Sequence, residues 1–499
     1  MAMLCSIFRQ FLFINLVLQV SSVVAASHSP VKFLPGFEGP LPFELETGYV
    51  GVGESEEVQL FYYFVKSENN PPEDPLLLWL TGGPGCSAFS ALFYEIVPNH
   101  VLKLYVMRED RESTVFRVST VPWELAHVGT EPTLVTQVSN IIFLDAPVGT
   151  GFSYATTSRA SHSGDFQATH QAHEFLRKWL IDHPEFLSNP VYVGETPTLG
   201  LPSLSWFNTS QMGYLLGNPV TEKGTETTAQ FRFAHGMALI SDELYESLKT
   251  SCGDEYPFKY PINIQCIKDV QAFYKCISGI QIGQILEPVC GFGSLKPEDI
   301  FLSGRRYLIG KLRERRPEPS LSAFECRTDG YILAPYWANN ATVQEALHIR
   351  KNTIREWQRC AMGLSYTPEI ESSFEYHVTL SKKGYRSLIY SGDHDMIVAF
   401  FSTQAWIRSL NYSIVDDWRS WMVEGQVGGY TRTYSNQMTF ATVKVKRNSS
   451  LHFRGGHTAP EYRPKSVLVC IKDGYLDSLC NQLPHLRAQI MTLSRNIPI

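Results

Sequence analysis

The segment Pro75-Leu-Leu-Leu-Trp-Leu-Thr-Gly-Gly-Pro-Gly-Cys-Ser87 indicates how this chain folds. Its first half is apolar at every position, as expected of a β-strand that is covered on both faces. Its second half is rich in glycine, so backbone N–H groups there can point at a ligand without obstruction by side chains. Such a turn is suited to an oxyanion hole, although a plain tight turn explains the glycines equally well.

Further apolar segments repeat this pattern along the chain. They alternate with polar sequence and with an amphipathic segment at 171–181 that predicts a helix. Buried strands that alternate with helices are typical of an α/β protein with a mostly parallel central sheet, whose carboxyl edge carries the functional site. The predicted strands cover residues 58–64, 75–80, 141–144, 191–193 and 387–390.

Residues from about 220 to 330 interrupt this alternation with polar helical sequence and with four cysteines. We interpret this stretch as a lid-like insertion, helical and stapled by disulfides, in one domain that spans residues 27–499. The clustered cysteines are Cys252, Cys266, Cys276 and Cys290.

Composition and the amino terminus restrict the class of protein. The chain has 499 residues, 44% of them apolar, and a net charge of −6, which allows a large core and argues against nucleic acid as a partner. Residues 1–26 have a short basic start, an apolar run and a small-residue end, which predict a cleaved secretory signal. The apolar run is shorter than a typical membrane-spanning helix. The alternative to a cleaved signal is an uncleaved membrane anchor. We therefore expect the secretory pathway, with an extracellular or vacuolar destination.

Secretion makes two further features of the sequence usable. The ten cysteines suggest disulfides, because the compartment is oxidising. Three sequons for N-glycosylation are present, although any one of them can arise by chance. They begin at Asn340, Asn411 and Asn448.

Two short segments resemble the acid and the base of a hydrolase. Asp395 ends the motif Ser391-Gly-Asp-His-Asp395, which follows the predicted strand 387–390 directly. His457 lies in the glycine-bounded segment Gly455-Gly-His-Thr-Ala-Pro-Glu461. A single histidine is more often structural than catalytic, but acid before base after a parallel strand is the order expected of a nucleophile–acid–base site. No metal or cofactor is predicted.

These motifs resemble the serine carboxypeptidase-like proteins, and in particular the plant branch that includes acyltransferases. Further matching segments span most of the chain after residue 26; they include 76–87, 145–154, 214–219, 285–288 and 336–339. The resemblance implies an α/β-hydrolase fold and a Ser-Asp-His triad, with Asp395 as the acid and His457 as the base. It implies that the Gly83 backbone N–H is an oxyanion donor and that Glu95 and Thr81 contact the substrate. Thr81 stands where peptidase members usually have asparagine.

The same resemblance implies disulfide pairs. It pairs Cys86 with Cys326 and Cys252 with Cys266, and leaves the partners of Cys276, Cys290 and Cys360 open.

The serine that such a triad requires is absent. Members of the family read Gly-Asp-Ser-Tyr-Ser-Gly at the strand-to-helix turn, whereas this chain reads Gly194-Glu-Thr-Pro-Thr-Leu-Gly200. Thr196 aligns with the serine, but Pro197 fixes its own φ and biases Thr196 away from the helical region, which argues against a threonine nucleophile. Ser153, in Gly151-Phe-Ser-Tyr-Ala155, lacks the closing glycine of such a turn and is rejected.

The genetic code suggests why the expected serine is absent. Codons for 194–200, read one base out of frame, permit Gly-Asp-Ser-Tyr-Ser-Gly, and the shifted frame continues with a family-like helix until Gly213. Codons for 465–481, also shifted, permit a family-like carboxyl terminus followed by a stop. Because family-like sequence is obtained at both places, we favour a frameshift, from a faulty gene model or a decayed gene, over an evolved new site. The second shift identifies 466–499 as a tail that is not related to the family.

Two classes of function remain. With a serine in place, attack on an acyl group followed by water makes a carboxypeptidase, and attack followed by a metabolite hydroxyl makes an acyltransferase. Without it, the chain is a catalytically dead secreted binding protein or the product of a faulty gene model. The expected partners are a peptide or an acyl ester.

Overall fold

A computed structural model describes most of the chain. The described residues are 29–37, 39–96, 106–108, 117–119, 138–195, 212–222, 225–253, 263–287, 329–354, 356–361, 363–444, 456–462, 467 and 469–471.

A twelve-stranded sheet organises these residues. Across the sheet, hydrogen-bonded strands follow one another in the order β1-β2-β3-β7-β4-β10-β11-β13-β16-β15-β14, and β8 pairs with β3. Its strands are β1 (Ser29–Val31), β2 (Leu45–Val52), β3 (Val58–Val65), β4 (Leu76–Leu80), β7 (Asn140–Leu144), β8 (Tyr154–Ala155), β10 (Val191–Glu195), β11 (Met212–Gly217), β13 (Arg386–Gly392), β14 (Ile414–Val423), β15 (Gln426–Tyr434) and β16 (Met438–Val443). Two small sheets pair β5 (Val106–Arg108) with β6 (Arg117–Ser119), and β9 (Ser163–Gly164) with β12 (Tyr366–Thr367).

The centre of the large sheet is parallel. Six neighbouring strands, β7-β4-β10-β11-β13-β16, run in one direction, and antiparallel strands flank them on both sides. All five strand segments predicted from apolar runs coincide with strands of this sheet. The prediction of an α/β fold with a mostly parallel central sheet is confirmed.

Both faces of the sheet are covered, which is why its central strands are apolar throughout. All five residues of β4 are buried. Leu77 and Trp79 point into one hydrophobic cluster, and the alternate residues Leu76, Leu78 and Leu80 point into a second cluster on the opposite face. This alternation follows from the two-residue period of a strand, and burial on both faces leaves no position for a polar side chain.

Helices form the outer layers. They are α1 (Asp165–Asp182), α2 (Thr225–Gly236), α3 (Asp242–Cys252), α4 (Ile264–Ile277), α5 (Asp329–Ala338), α6 (Ala341–Ala346), α7 (Phe374–Lys382), α8 (Phe400–Ser409) and α9 (Ala459–Tyr462), with a π-helical turn at Ala91–Ile96 and a 3-10 turn at Pro184–Phe186. In α1 the buried positions Ala168, Ala172, Phe175, Leu176 and Trp179 recur every three or four residues. This spacing places them on one helix face, toward the sheet, and the predicted helix 171–181 lies inside α1.

The predicted insertion contains a compact helical unit. Helices α2, α3 and α4 surround a third hydrophobic cluster, separate from the two that cover the sheet. The predicted disulfide between Cys252 and Cys266 is present and joins the end of α3 to the start of α4. The role of the insertion as a lid stays a prediction. Among the described residues, no helix combines the length and the apolar character needed to cross a membrane.

Candidate active site

The candidate site lies where four neighbouring parallel strands end. Strands β4, β10, β11 and β13 are adjacent and run in the same direction, so the segments after them meet at the carboxyl edge. Thr81 follows β4, Asn218 follows β11, and Asp395 lies shortly after β13. Residues that are far apart in sequence are thereby brought to one place.

Asp395 and His457 form a hydrogen-bonded pair. The His457 Nδ1 donates to the Asp395 Oδ2 over 2.9 Å. The Asp395 side chain is fully buried, whereas the His457 side chain is 30% exposed. The acid is thus enclosed in the protein, whereas the imidazole is partly accessible to solvent, an arrangement compatible with an acid–base couple.

Three further donors hold the Asp395 carboxylate. The Asn218 Nδ2 donates to Oδ2 over 2.7 Å, and the backbone N–H groups of Ile397 and Val398 donate to Oδ1 over 2.8 and 3.3 Å. With both oxygens hydrogen-bonded, the buried carboxyl group is satisfied and is held in one orientation toward the imidazole.

The role of Asn218 was missed by sequence reasoning. Asn218 is fully buried and adopts a positive φ of 49°, a conformation that asparagine tolerates better than most residues. Its backbone N–H donates to the Tyr390 carbonyl over 2.8 Å, which turns its side chain toward the loop after β13. The available signal was its position directly after an apolar strand, in the segment 214–219.

The glycine-rich loop after β4 adopts backbone conformations that favour glycine. Gly83 and Gly85 have positive φ values of 69° and 105°. A Cβ at Gly85 would lie 3.0 Å from the Ala361 carbonyl oxygen, so glycine is required there by both conformation and space.

The two predicted substrate contacts are described unequally. The Thr81 Oγ1 is buried and has no hydrogen-bond partner within the described part of the chain. Glu95 lies in the π-helical turn Ala91–Ile96, and its side chain is outside the described residues. Contact of either residue with substrate stays a prediction, as does the role of Gly83.

The predicted disulfide between Cys86 and Cys326 is wrong. Cys86 is bonded to Cys360, one of the cysteines whose pairing the sequence left open, and Cys326 lies outside the described residues. The bond joins two antiparallel segments that exchange backbone hydrogen bonds, from Ser87 N to Arg359 O over 2.8 Å and from Ala361 N to Gly85 O over 2.9 Å. These bonds hold the Cα atoms of Cys86 and Cys360 3.9 Å apart, a proximity that sequence spacing cannot reveal.

A buried carboxylate anchors the end of the same loop. Asp145 is fully buried. Its Oδ1 accepts from the Ser87 Oγ over 2.7 Å and from the Ala88 N–H over 2.8 Å, and its Oδ2 accepts from the Phe152 N–H over 3.0 Å. Burial raises the pKa of Asp145 from 3.8 to about 6, although these hydrogen bonds act in the opposite direction. Sequence reasoning gave Asp145 no role of its own.

Ser153 is a structural residue, in agreement with its rejection as a nucleophile. Its hydroxyl donates to the Asp145 carbonyl oxygen over 2.6 Å and accepts from the Phe61 N–H over 2.7 Å. Both bonds are buried, so the hydroxyl is not presented to a substrate. Thr196 directly follows β10 but lies outside the described residues.

The other predicted sites are placed as follows. Asn411 is exposed after α8, and the Asn340 Oδ1 accepts from the Thr342 N–H at the start of α6, whereas Asn448 lies outside the described residues. Glycosylation at these positions stays a prediction. Within the described residues, no group of three or more His, Cys, Asp or Glu side chains is arranged to hold a metal ion.

Comparison with known proteins identifies the family. A sequence profile of the serine carboxypeptidase family matches residues 35–196 and 206–475. Serine carboxypeptidase-like 2 from Arabidopsis thaliana is 48% identical over 456 residues, which cover 89% of this chain and 91% of that protein. The chain belongs to the serine carboxypeptidase family. Serine carboxypeptidase-like 3 from the same plant is 45% identical over 91% of this chain and 95% of its own length.

A solved structure supports the fold of this serine carboxypeptidase family member. The prohormone-processing carboxypeptidase Kex1Δp from Saccharomyces cerevisiae superimposes with a TM-score of 0.60 at 16% identity, over 90% of this chain and 95% of that one. The α/β-hydrolase fold implied by the resemblance is therefore confirmed. The match to the family profile is interrupted between residues 196 and 206, the region where the expected serine is absent.

Proposed function

We propose that this chain carries the acid, the base and the oxyanion loop of a serine-type acyl-transfer site, and that it lacks the nucleophile in the sequence as it stands. The observation that carries the proposal is the 2.9 Å hydrogen bond between the buried Asp395 and the partly exposed His457. The family gives the general chemistry, which is serine-type hydrolysis.

With a serine at the end of β10, the roles would be as follows. The His457 imidazole would take the serine proton as the hydroxyl attacks an ester or peptide carbonyl, and would return it to the leaving group. Asp395 would hold the imidazole through Nδ1 and stabilise its positive charge, with Asn218 fixing the carboxylate. The Gly83 N–H would donate to the oxyanion of the tetrahedral intermediate.

The chain as written has no turnover under this proposal. Loss of a triad nucleophile typically lowers kcat by about a millionfold. Pro197, next to Thr196, removes a backbone donor and disfavours the strained turn that presents a nucleophile. The interruption of the family match just after Thr196 supports an altered stretch at this point.

Labelling with a fluorophosphonate probe tests the proposal, because only an activated serine reacts. Three proteins are compared: the chain as written, a repaired chain in which the shifted-frame peptide replaces 195–212, and the repaired chain with His457→Ala. We expect label on the second protein only. Absence of label on the repaired chain would refute the proposal, and so would label on the chain as written that depends on His457.

The acceptor that completes the reaction follows from the same repaired protein. Thr81, which replaces the asparagine usual in peptidase members, favours transfer from an activated ester to a hydroxyl over hydrolysis of a peptide. Turnover is measured with a blocked dipeptide and, separately, with an activated ester plus an alcohol acceptor. Faster hydrolysis of the dipeptide would assign the repaired enzyme to carboxypeptidase action instead.

Binding without turnover is the second candidate function, favoured by the intact acid–base pair and the missing serine. It predicts that the chain as written retains affinity for a non-hydrolysable acyl or peptide analogue, measured by calorimetry. The signal-like residues 1–26 and the three sequons support a protein of the secretory pathway. Its secretion is tested by expression with and without residues 1–26.

A further inference from the structure

A turn of the helical insertion contacts the loops on both sides of the acid–base pair. Residues 281–287, here called the bridging turn, follow α4. The turn is closed by backbone hydrogen bonds from Gln284 N to Gln281 O and from Glu287 N to Gln284 O, both of 2.9 Å. It therefore has a defined shape of its own, through which the insertion can act on the site.

The bridging turn brackets the acid. The Met396 N–H donates to the Ile282 carbonyl over 2.9 Å, and the Ile285 N–H donates to the His394 carbonyl over 3.3 Å. These two bonds hold the residues immediately before and after Asp395. Met396 is also part of the insertion's hydrophobic cluster, as is Ile285.

The same turn holds the base. The His457 backbone N–H donates to the Gly283 carbonyl over 2.9 Å. A Cβ at Gly456 would lie 2.6 Å from that carbonyl oxygen and 2.8 Å from the Tyr462 ring, so the two segments meet with no space for a side chain. A Cβ at Gly283 would meet Ile397 Cδ1 at 3.5 Å and His457 Cβ at 3.9 Å, which are ordinary contacts.

We propose that the bridging turn is the positioning element of the Asp395–His457 pair. One carbonyl of the turn fixes the backbone of the base, and the neighbouring residues fix the backbone of the acid. The relative position of the two side chains then depends on the insertion and not only on the sheet. The catalytic consequence rests on the function proposed above, whereas the geometry of the pair can be tested without it.

The first test compares Gly456→Ala with Gly283→Ala in the full chain. The readout is the downfield proton resonance of the hydrogen-bonded His457 Nδ1 in selectively labelled protein, assigned by its absence from His457→Ala. We expect the parent and Gly283→Ala to show the resonance and Gly456→Ala to lose or shift it. An unchanged resonance in a folded Gly456→Ala protein would overturn the inference.

A second pair of variants addresses the case in which Gly456→Ala does not fold. Ile285→Ala truncates the apolar side chain of the turn, and Ile277→Ala makes the same truncation in the same cluster but on α4. A merely structural role predicts equal effects. We expect the Nδ1 resonance to be perturbed by Ile285→Ala and retained in Ile277→Ala, and equal behaviour of the two would overturn the inference.

The repaired enzyme supplies the catalytic readout. A misplacement of about 1 Å can lower kcat on the order of a hundredfold, so Ile285→Ala should lower kcat far more than Ile277→Ala, with KM little changed. If the parent chain itself shows no Nδ1 resonance, the acid–base pair of the proposed function fails. If the parent shows it, and Gly456→Ala and Ile285→Ala leave the resonance unchanged and Ile285→Ala also leaves kcat unchanged, only the positioning role fails.

Discussion

Replacement of Asp145 by asparagine should change how stability depends on pH. Asp145 is fully buried below the glycine-rich loop and accepts hydrogen bonds from Ser87, Ala88 and Phe152. Asparagine keeps the shape but cannot ionise, and its amide Nδ2 is a donor, which replaces one of the two accepting oxygens. The lost bond should destabilise the variant by about 1–3 kcal/mol at acidic pH, where the parent carboxyl is protonated.

The sign of the pH effect follows from the raised pKa. Because burial raises the folded-state pKa of Asp145 from 3.8 to about 6, its contribution to stability is fully present below the unfolded value. It is lost as pH rises through the folded value. For a fully buried group, this rise amounts to about 3 kcal/mol. The free energy of unfolding of the parent minus that of the variant should therefore fall by about 2–3 kcal/mol between about pH 4 and pH 8, which brings the difference close to zero or reverses its sign.

Urea unfolding followed by tryptophan fluorescence at several pH values measures this gap. Asp269→Asn serves as the control, because it removes another buried carboxylate whose pKa is shifted in the opposite direction. Burial alone would raise the pKa of Asp269, but hydrogen bonds from Ser251, Ser247 and Gln265 lower it below 3.8, so the stability that they add is lost only at more acidic pH. The difference between parent and Asp269→Asn should therefore stay nearly constant between about pH 4 and pH 8. A gap between parent and Asp145→Asn that stays constant with pH would refute the argument.

Three further outcomes are expected. The double substitution Cys252→Ser and Cys266→Ser opens a disulfide-closed loop with a sequence separation of 14. It should lower the free energy of unfolding by about 3 kcal/mol in urea, and an unchanged midpoint would show that the disulfide does not stabilise the protein. Burial lowers the pKa of His377 from 6.5 to about 3, so its contribution to stability is present above pH 6.5 and is lost on acidification. Between about pH 7 and pH 5 the free energy of unfolding of His377→Phe should therefore fall by about 2 kcal/mol less than that of the parent. A variant that is as sensitive to acid as the parent would contradict this. Asn218→Gly removes a donor from buried Asp395 without backbone strain and should cost about 1.5–3 kcal/mol, whereas a neutral effect in the same assay would argue against that bond.

Local sequence predicted the sheet well, because its central strands are apolar on both faces. The run 76–80 lies between the two hydrophobic clusters that cover the sheet, and only a strand buried on both sides needs such a run. The order of the motifs also placed Asp395 and His457 as candidates for one site. The structure joins them across 62 positions of sequence by a hydrogen bond of 2.9 Å.

Contacts that depend on the approach of distant segments could not be predicted. Asn218 lies 177 positions before Asp395, whose carboxylate it holds, and nothing in its own segment specifies that partner. Cys86 was assigned to the wrong cysteine because the segment that packs against the glycine loop, 274 positions later, is chosen by backbone pairing across the fold. The bridging turn was likewise unrecognised.

The sequence by itself determined the alternation of buried strands and helices, the residue types available at the carboxyl edge and the absence of a serine from the turn 195–200. These are properties of single segments, set by side-chain period and chemistry. Only the tertiary structure decided which side chains meet: Asn218 with Asp395, Cys86 with Cys360, and Gly283 with His457. The physical reason is that hydrogen bonds and disulfides act over a few ångströms, and the sheet and the insertion, not the chain order, bring those atoms within reach.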